Sequence, residues 1–126
     1  MTNPHKGRTG FDRLFHATGY SLSGLSQAYR GESAFRQEFW LGLVLFPMAF
    51  WVGRGWVEVT LLLGAVVQLL IVELLNSAIE ATVDRVSFEL HPLSKRAKDL
   101  ASAAVLLSLI LCAGVWLAAL WQRLFA

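Results

Sequence analysis

The chain is short of charge, of cysteine and of proline. Charged residues fill 16% of its 126 positions, against about a quarter in ordinary soluble domains, and that shortage excludes a well-solvated globule. A single cysteine, Cys112, excludes an internal disulfide framework; lying in an apolar run, it reads as a small packing residue. The formal net charge is only +2, too weak for a phosphate-backbone binder, so nucleic acid is not an expected partner. No internal repeat and no low-complexity stretch is present. What is abundant is apolar: 56% of residues are hydrophobic, with eight Phe and five Trp. That excess excludes disorder. The expected class is an all-α integral membrane protein.

Three apolar blocks carry this expectation. Residues 39–53 are uncharged, as are 59–72 and 100–122. A helix needs about 20 residues to cross a bilayer. The third block spans unaided, the second spans if Glu73 is accepted inside it, and the first spans if Ala34–Glu38 begins the same helix. Expected transmembrane helices are therefore 33–53, 56–86 and 94–123, with Pro47 a possible kink that neighbouring helices can accommodate. Residues 1–36 hold five Lys or Arg and the second connection holds four (Arg85, Lys95, Arg96, Lys98). The positive-inside rule then puts the N-terminus and that connection in the cytoplasm. Trp40, Trp51, Trp56, Trp116 and Trp121 fall near block ends, as an interfacial aromatic belt would place them. The first 35 residues lack the apolar core of a signal peptide. Residues 1–10 read as a flexible tail. Residues 11–30 place Phe11, Leu14, Phe15, Thr18, Leu22 and Leu25 at roughly helical spacing, an amphipathic helix able to lie on the inner leaflet.

The informative segment is VELLNSAIEATVDR, residues 72–85. Glu73, Asn76, Ser77, Glu80 and Asp84 fall on one stripe of a helix turning about 100° per residue. Leu74, Leu75, Ile79, Val83 and Val86 form an apolar remainder. A helix leaving the bilayer explains Asp84 at its wet end. It explains Glu73 poorly, because ionisable groups deep in a membrane are costly and usually functional. Two further clusters lie on the same side. In GESAFRQE, residues 31–38, Glu32 and Arg36 stand i, i+4 and could pair. In HPLSKRAKD, residues 91–99, Ser94 is the expected N-cap, which puts Lys95, Arg96 and Lys98 in the first turns of the third span. Cations there attract phosphate, although positive-inside sorting explains them equally well. His5, His16 and His91 have no metal-ligand spacing. The stretch GYSLSGLS, residues 19–26, mimics a phosphate loop, but Leu25 stands where its lysine belongs. Acids able to hold a divalent cation, beside cations able to hold phosphate, fit phosphoryl transfer.

VELLNSAIEATVDR, preceded by ESAFRQE and followed by SKRAKDLASAAV, resembles the prokaryotic diacylglycerol kinase family, and the resemblance extends from GFDRLFHATGYSLSGL at Gly10 to the third span. The resemblance implies a homotrimer of three-span subunits, each preceded by the surface helix, in the bacterial inner membrane. It implies transfer of the ATP γ-phosphate to the free hydroxyl of diacylglycerol, with magnesium, at sites between subunits. It further implies Glu73 as general base and Glu32 and Glu80 as metal-binding carboxylates. Arg13, Tyr20, Lys98 and Asp99 match nucleotide-contacting positions, with Asn76 and Asp84 as polar positions around the catalytic helix. Ala34, Phe35, Arg36, Gln37 and Ser102 match positions lining the lipid site, which Arg13 and Glu73 also border. Leu22 and Pro92 depart from common family residues without removing a group the chemistry needs. Within the family the alternative acceptor is undecaprenol. From another class, a small ion-coupled transporter with Glu73 as coupling carboxylate is disfavoured, since every acid cluster except Glu58 lies toward one side.

Overall fold

The computed structural model describes residues 9–126. Residues 1–8, with most of the expected tail and with His5, Lys6 and Arg8, lie outside the described residues. The rest is all helical: α1 (Gly10–Gly31), α2 (Ser33–Val52), α3 (Trp56–Val86) and α4 (Pro92–Phe125).

Each junction has a local cause. Glu32 alone separates α1 from α2, in extended conformation; its N–H closes α1 on the Ala28 carbonyl at 2.9 Å, and its carbonyl opens α2 by accepting from Arg36 N at 3.1 Å. The α2–α3 turn is three residues long and hinges on Gly55, whose φ of +114° is open to glycine and strained for other residues. At the start of α4 the expectation of a Ser94 cap is corrected. The cap is His91, three residues earlier, because Pro92 supplies a preset first-turn φ and the His91 ring accepts from Leu93 N at 3.1 Å. Lys95, Arg96 and Lys98 still fall in its opening turns. Pro47 does not interrupt α2.

The helices α2, α3 and α4 run antiparallel in sequence, and side chains fasten both ends. At one end Arg54, in the α2–α3 turn, donates to the carbonyls of Gln122 at 2.5 Å and Ala126 at 3.0 Å. At the other, Lys98 at the head of α4 pairs with Asp84 near the foot of α3 at 2.8 Å. Between them α3 packs chiefly on α4. Ala49, Val52, Val59 and Leu62 form one core cluster, and Ala65, Val66, Leu69 and Cys112 the next. Trp116 corrects the aromatic-belt expectation for that residue. It tucks between α3 and α4, with its indole N–H on the Leu62 carbonyl at 3.1 Å, as a part-buried donor requires.

Helices α3 and α4 are long and apolar enough to cross a membrane, and only 28% and 11% of their most apolar windows are buried within the chain. Leu61, Val67, Ile71, Leu106, Leu107 and Leu117 all point outward. So much outward apolar surface fits lipid or neighbouring helices better than water. Along α1, Phe11 (91% exposed), Leu14, Phe15 and Leu22 form an apolar stripe that no other described element covers.

Candidate functional site

The acid stripe lies on one helix, as its spacing predicts. Glu73 is its deepest member and is buried, with 8% exposure, while Asn76, Ser77, Glu80 and Asp84 are half-buried. The rise of about 1.5 Å per residue sets Glu80 about 10 Å beyond Glu73. The stripe therefore runs from the interior of the bundle to the end of α3 that leads into the 87–91 connection.

What lies opposite Glu73 was not among the candidate site residues. The carboxyl of Glu38, in the second turn of α2, is close enough to Glu73 for their side chains to interact directly. Its Oε2 is buried and has no hydrogen-bond partner. The backbone explains the approach. One turn after Glu38, Gly42 lets α2 come so near α3 that a Cβ there would stand 3.0 Å from Val66 Cγ1. Glu38 stands one turn back along α2 and Glu73 two turns onward along α3, both on the same side of that crossing. The sequence carried one signal for it, a second carboxylate in GESAFRQE just ahead of the first apolar block.

Glu32 and the stripe are also brought together. Glu32, Gln27 and Ser21 line one wall of an open cavity of about 660 Å³ beneath α1, and Leu74, Ser77 and Ala81 line the other. The Glu32–Arg36 pair that the i, i+4 spacing allows does not form. Arg36 Nη1 instead donates to the carbonyl of Tyr29 at 2.9 Å and reaches that of Arg30 at 3.5 Å. A helix end with unsatisfied carbonyls attracts a guanidinium in this way. Among the described residues neither Glu32 nor Glu80 forms a salt bridge, leaving two carboxylates without a fixed cationic partner. No group of three or more His, Cys, Asp or Glu side chains among the described residues forms a complete cation shell. Two carboxylates suit magnesium, which keeps several waters and takes further oxygens from bound phosphates.

The cationic part of the site stands at the start of α4. Lys98 bonds Asp84 at 2.8 Å and also feels the charge of Glu80. Asp99 accepts from Lys95 at 2.5 Å. Asp84, Lys98, Asp99, His91 and Phe88 border an open cleft of about 690 Å³ between α3, the 87–91 connection and α4. That volume lies within the usual range for small-molecule sites.

The remaining candidates are scattered. Phe35 is buried at 3% exposure, so its ring is packing in this chain and does not face an open groove. Ala34, Gln37 and Ser102 are exposed, and Arg36 is half-buried. Arg13 and Tyr20 stand on α1, which contacts α2 and α3 but not α4 among the described residues. One chain therefore does not bring Arg13 and Tyr20 to Lys98 and Asp99.

Comparison with known proteins extends these observations. Residues 19–120 match the family model described as prokaryotic diacylglycerol kinase. The chain is 55% identical over 116 residues to the diacylglycerol kinase of Pseudomonas aeruginosa strain PAO1, covering 90% of this chain and 93% of that protein. It is 47% identical over 115 residues to the diacylglycerol kinase of Escherichia coli K12 (91% and 94% covered). With the Haemophilus influenzae diacylglycerol kinase it shares 44% identity over 108 residues (86% and 92% covered).

Proposed function

The chain belongs to the prokaryotic diacylglycerol kinase family, and from that premise we propose that it transfers the γ-phosphate of ATP to the free hydroxyl of diacylglycerol, giving phosphatidate and ADP. The observation that carries the reading is Glu73, buried at the deep end of a polar stripe that emerges among Glu32, Glu80 and Lys98. A lipid alcohol lies in the membrane and a nucleotide in water. A reaction between them needs a base at depth and charge-neutralising groups at the surface.

In this reading α2 is the third span. Its 20 residues rise about 30 Å, one hydrocarbon thickness. It is joined to α3 by a three-residue turn and so traverses the same slab. Arg36, Gln37 and Glu38 make its first turns polar, but Arg36 and Glu38 are directed at α1 and α3. Leu43, Val44, Phe46 and Phe50 give its second half an outward apolar surface. The N-terminus and the 87–91 connection are cytoplasmic by their Lys and Arg, in the bacterial inner membrane. The apolar stripe of α1 lies on the inner leaflet.

Glu73 accepts the proton of the lipid hydroxyl as that oxygen bonds to phosphorus and the β,γ-bridging oxygen leaves with ADP. Asn76, beside it on the stripe, holds the reacting groups in line. Glu32 and Glu80 would hold magnesium, which would supply charge neutralisation at the phosphate oxygens. Lys98 adds positive charge near the transferring group, and Asp99, Arg13 and Tyr20 contact the nucleotide. Ala34, Arg36, Gln37 and Ser102 line the entry of the lipid, with Arg13 at its border, while the buried Phe35 packs behind them. The separation of α1 from α4 in one chain supports a homotrimer whose sites lie between subunits. Close packing of the nine spanning helices is available through Ser77, Ala81, Ala101, Ala104, Gly114 and Ala118.

The test is transfer of label from [γ-³²P]ATP by the purified protein to diacylglycerol and, in parallel, to undecaprenol. Preferential labelling of diacylglycerol is expected. Preference for undecaprenol would overturn the substrate assignment, and labelling of neither would overturn the kinase reading.

A further inference from the structure

Glu38 has no part in the chemistry assigned above, yet it is the side chain facing the base. Its carboxyl interacts directly with that of Glu73, its Oε2 is shut away from water without a donor, and Glu73 itself is buried. Among the described residues, no helix packed around the pair supplies it with a cation. On α2, Arg36 is committed to the carbonyls of Tyr29 and Arg30. On α1 the neighbouring groups are Tyr29, whose hydroxyl accepts from Trp40 Nε1, and the exposed Arg30. On α3 the next ionisable group is another acid, Glu80. On α4 the titratable group within electrostatic range of Glu38 is the Cys112 thiol. None of the salt bridges among the described residues includes either carboxyl.

Two touching carboxylates cannot both be ionised in such surroundings. One proton held between them removes the repulsion and gives the orphaned Oε2 a hydrogen bond. We infer that Glu38 is a positioning residue for the base: it shares a single proton with Glu73, donates it as a hydrogen bond to the Glu73 carboxylate, and so aims the free Glu73 oxygen at the acceptor hydroxyl. The inference rests on the reading of Glu73 as general base. Its proton balance is simple. Before transfer the pair holds one proton and one negative charge. When Glu73 takes the hydroxyl proton, the pair holds two protons and no charge, so the step removes a charge from a water-poor site. The second proton returns to solvent after the products leave. The register is built by the backbone, since Gly42 sets the α2–α3 approach one turn away.

Two measurements on full-length protein in lipid nanodiscs test this. Infrared spectroscopy of the wild type at neutral pH, without nucleotide or added lipid substrate, should reveal a protonated carboxyl C=O band that shifts in D₂O. Glu38→Gln should abolish it. In kinetics, Glu38→Ala should lower kcat roughly tenfold to a hundredfold, the cost of a misaimed base, with KM for ATP within about twofold. Glu38→Gln retains an N–H donor and should recover most of the lost turnover, while the dependence of kcat on pH loses the ionisation that belongs to the shared proton. Absence of the band in the wild type, wild-type kcat in Glu38→Ala, or a folded Glu38→Gln no better than Glu38→Ala would each overturn the inference. Failure of the kinase reading itself is distinct, for it leaves the wild type inactive on every lipid alcohol.

Discussion

Replacing Gly42 by alanine should loosen the α2–α3 contact and disarm the site without touching a chemical group. The added methyl would stand 3.0 Å from Val66 Cγ1, where carbon atoms normally rest about 3.5–4.0 Å apart. Val66 is buried, and a β-branched side chain in a helix has essentially one χ1 rotamer, so it cannot swing aside. The helices must part by about half an ångström or more, and overpacking of this kind costs about 1–3 kcal/mol. Alanine recovers about 0.5–1 kcal/mol as a better helix residue than glycine, leaving a net loss of about 0–2.5 kcal/mol, centred a little above 1. Equilibrium unfolding in mixed micelles, followed by tryptophan fluorescence, reads that loss. A double-mutant cycle assigns it: Val66→Ala vacates the space, so Gly42→Ala in that background should cost nothing or stabilise. Additivity of the two substitutions within about 0.5 kcal/mol would refute the packing argument.

Other substitutions separate stability from chemistry. The Lys98–Asp84 pair is 2.8 Å long with both side chains about two-fifths exposed, so Lys98→Met should leave the unfolding midpoint essentially unchanged. Its turnover should nevertheless fall by about a hundredfold, as expected for loss of a group that stabilises developing charge. Glu32→Gln and Glu80→Gln should each raise the magnesium concentration for half-maximal activity by about tenfold or more, with unchanged helical circular dichroism; an unchanged magnesium titration would remove that variant's residue from the metal site. Trp116→Phe deletes the hydrogen bond to the Leu62 carbonyl and should cost about 0.5–1.5 kcal/mol with kcat preserved; equal stability would mean that the indole contributes by packing alone.

Features confined to one helix are legible in the sequence itself. The apolar blocks and the 100° periodicity announced helices, and the stripe from Glu73 to Asp84 falls on one face because a helix fixes it there. Features that need two helices are not. Glu38 meets Glu73 only through a crossing set by Gly42 and Val66, and no pattern within α2 reveals the register. An i, i+4 pairing of Glu32 and Arg36 takes the two as neighbours on one continuous helix. The chain breaks at Glu32 itself, and the open carbonyl end of α1 attracts the guanidinium instead. The place of Trp116 in its block suggests an interfacial ring, whereas its indole N–H donates to the Leu62 carbonyl on α3. Ser94 had cap chemistry, but Pro92 and His91 start the helix sooner. The roles proposed for Arg13, Tyr20 and Ser102 rest on family resemblance, since no spacing in the sequence encodes them.

The central claim is that Glu73 takes the proton of a lipid hydroxyl while that hydroxyl receives phosphate from ATP. Single-turnover transfer of ³²P from ATP to diacylglycerol by Glu73→Gln, measured beside the wild type with ATP affinity and oligomeric state checked on the same samples, tests it most directly. The account predicts that transfer falls by about 10²–10⁴-fold with nucleotide binding and assembly intact. Transfer at the wild-type rate would contradict it.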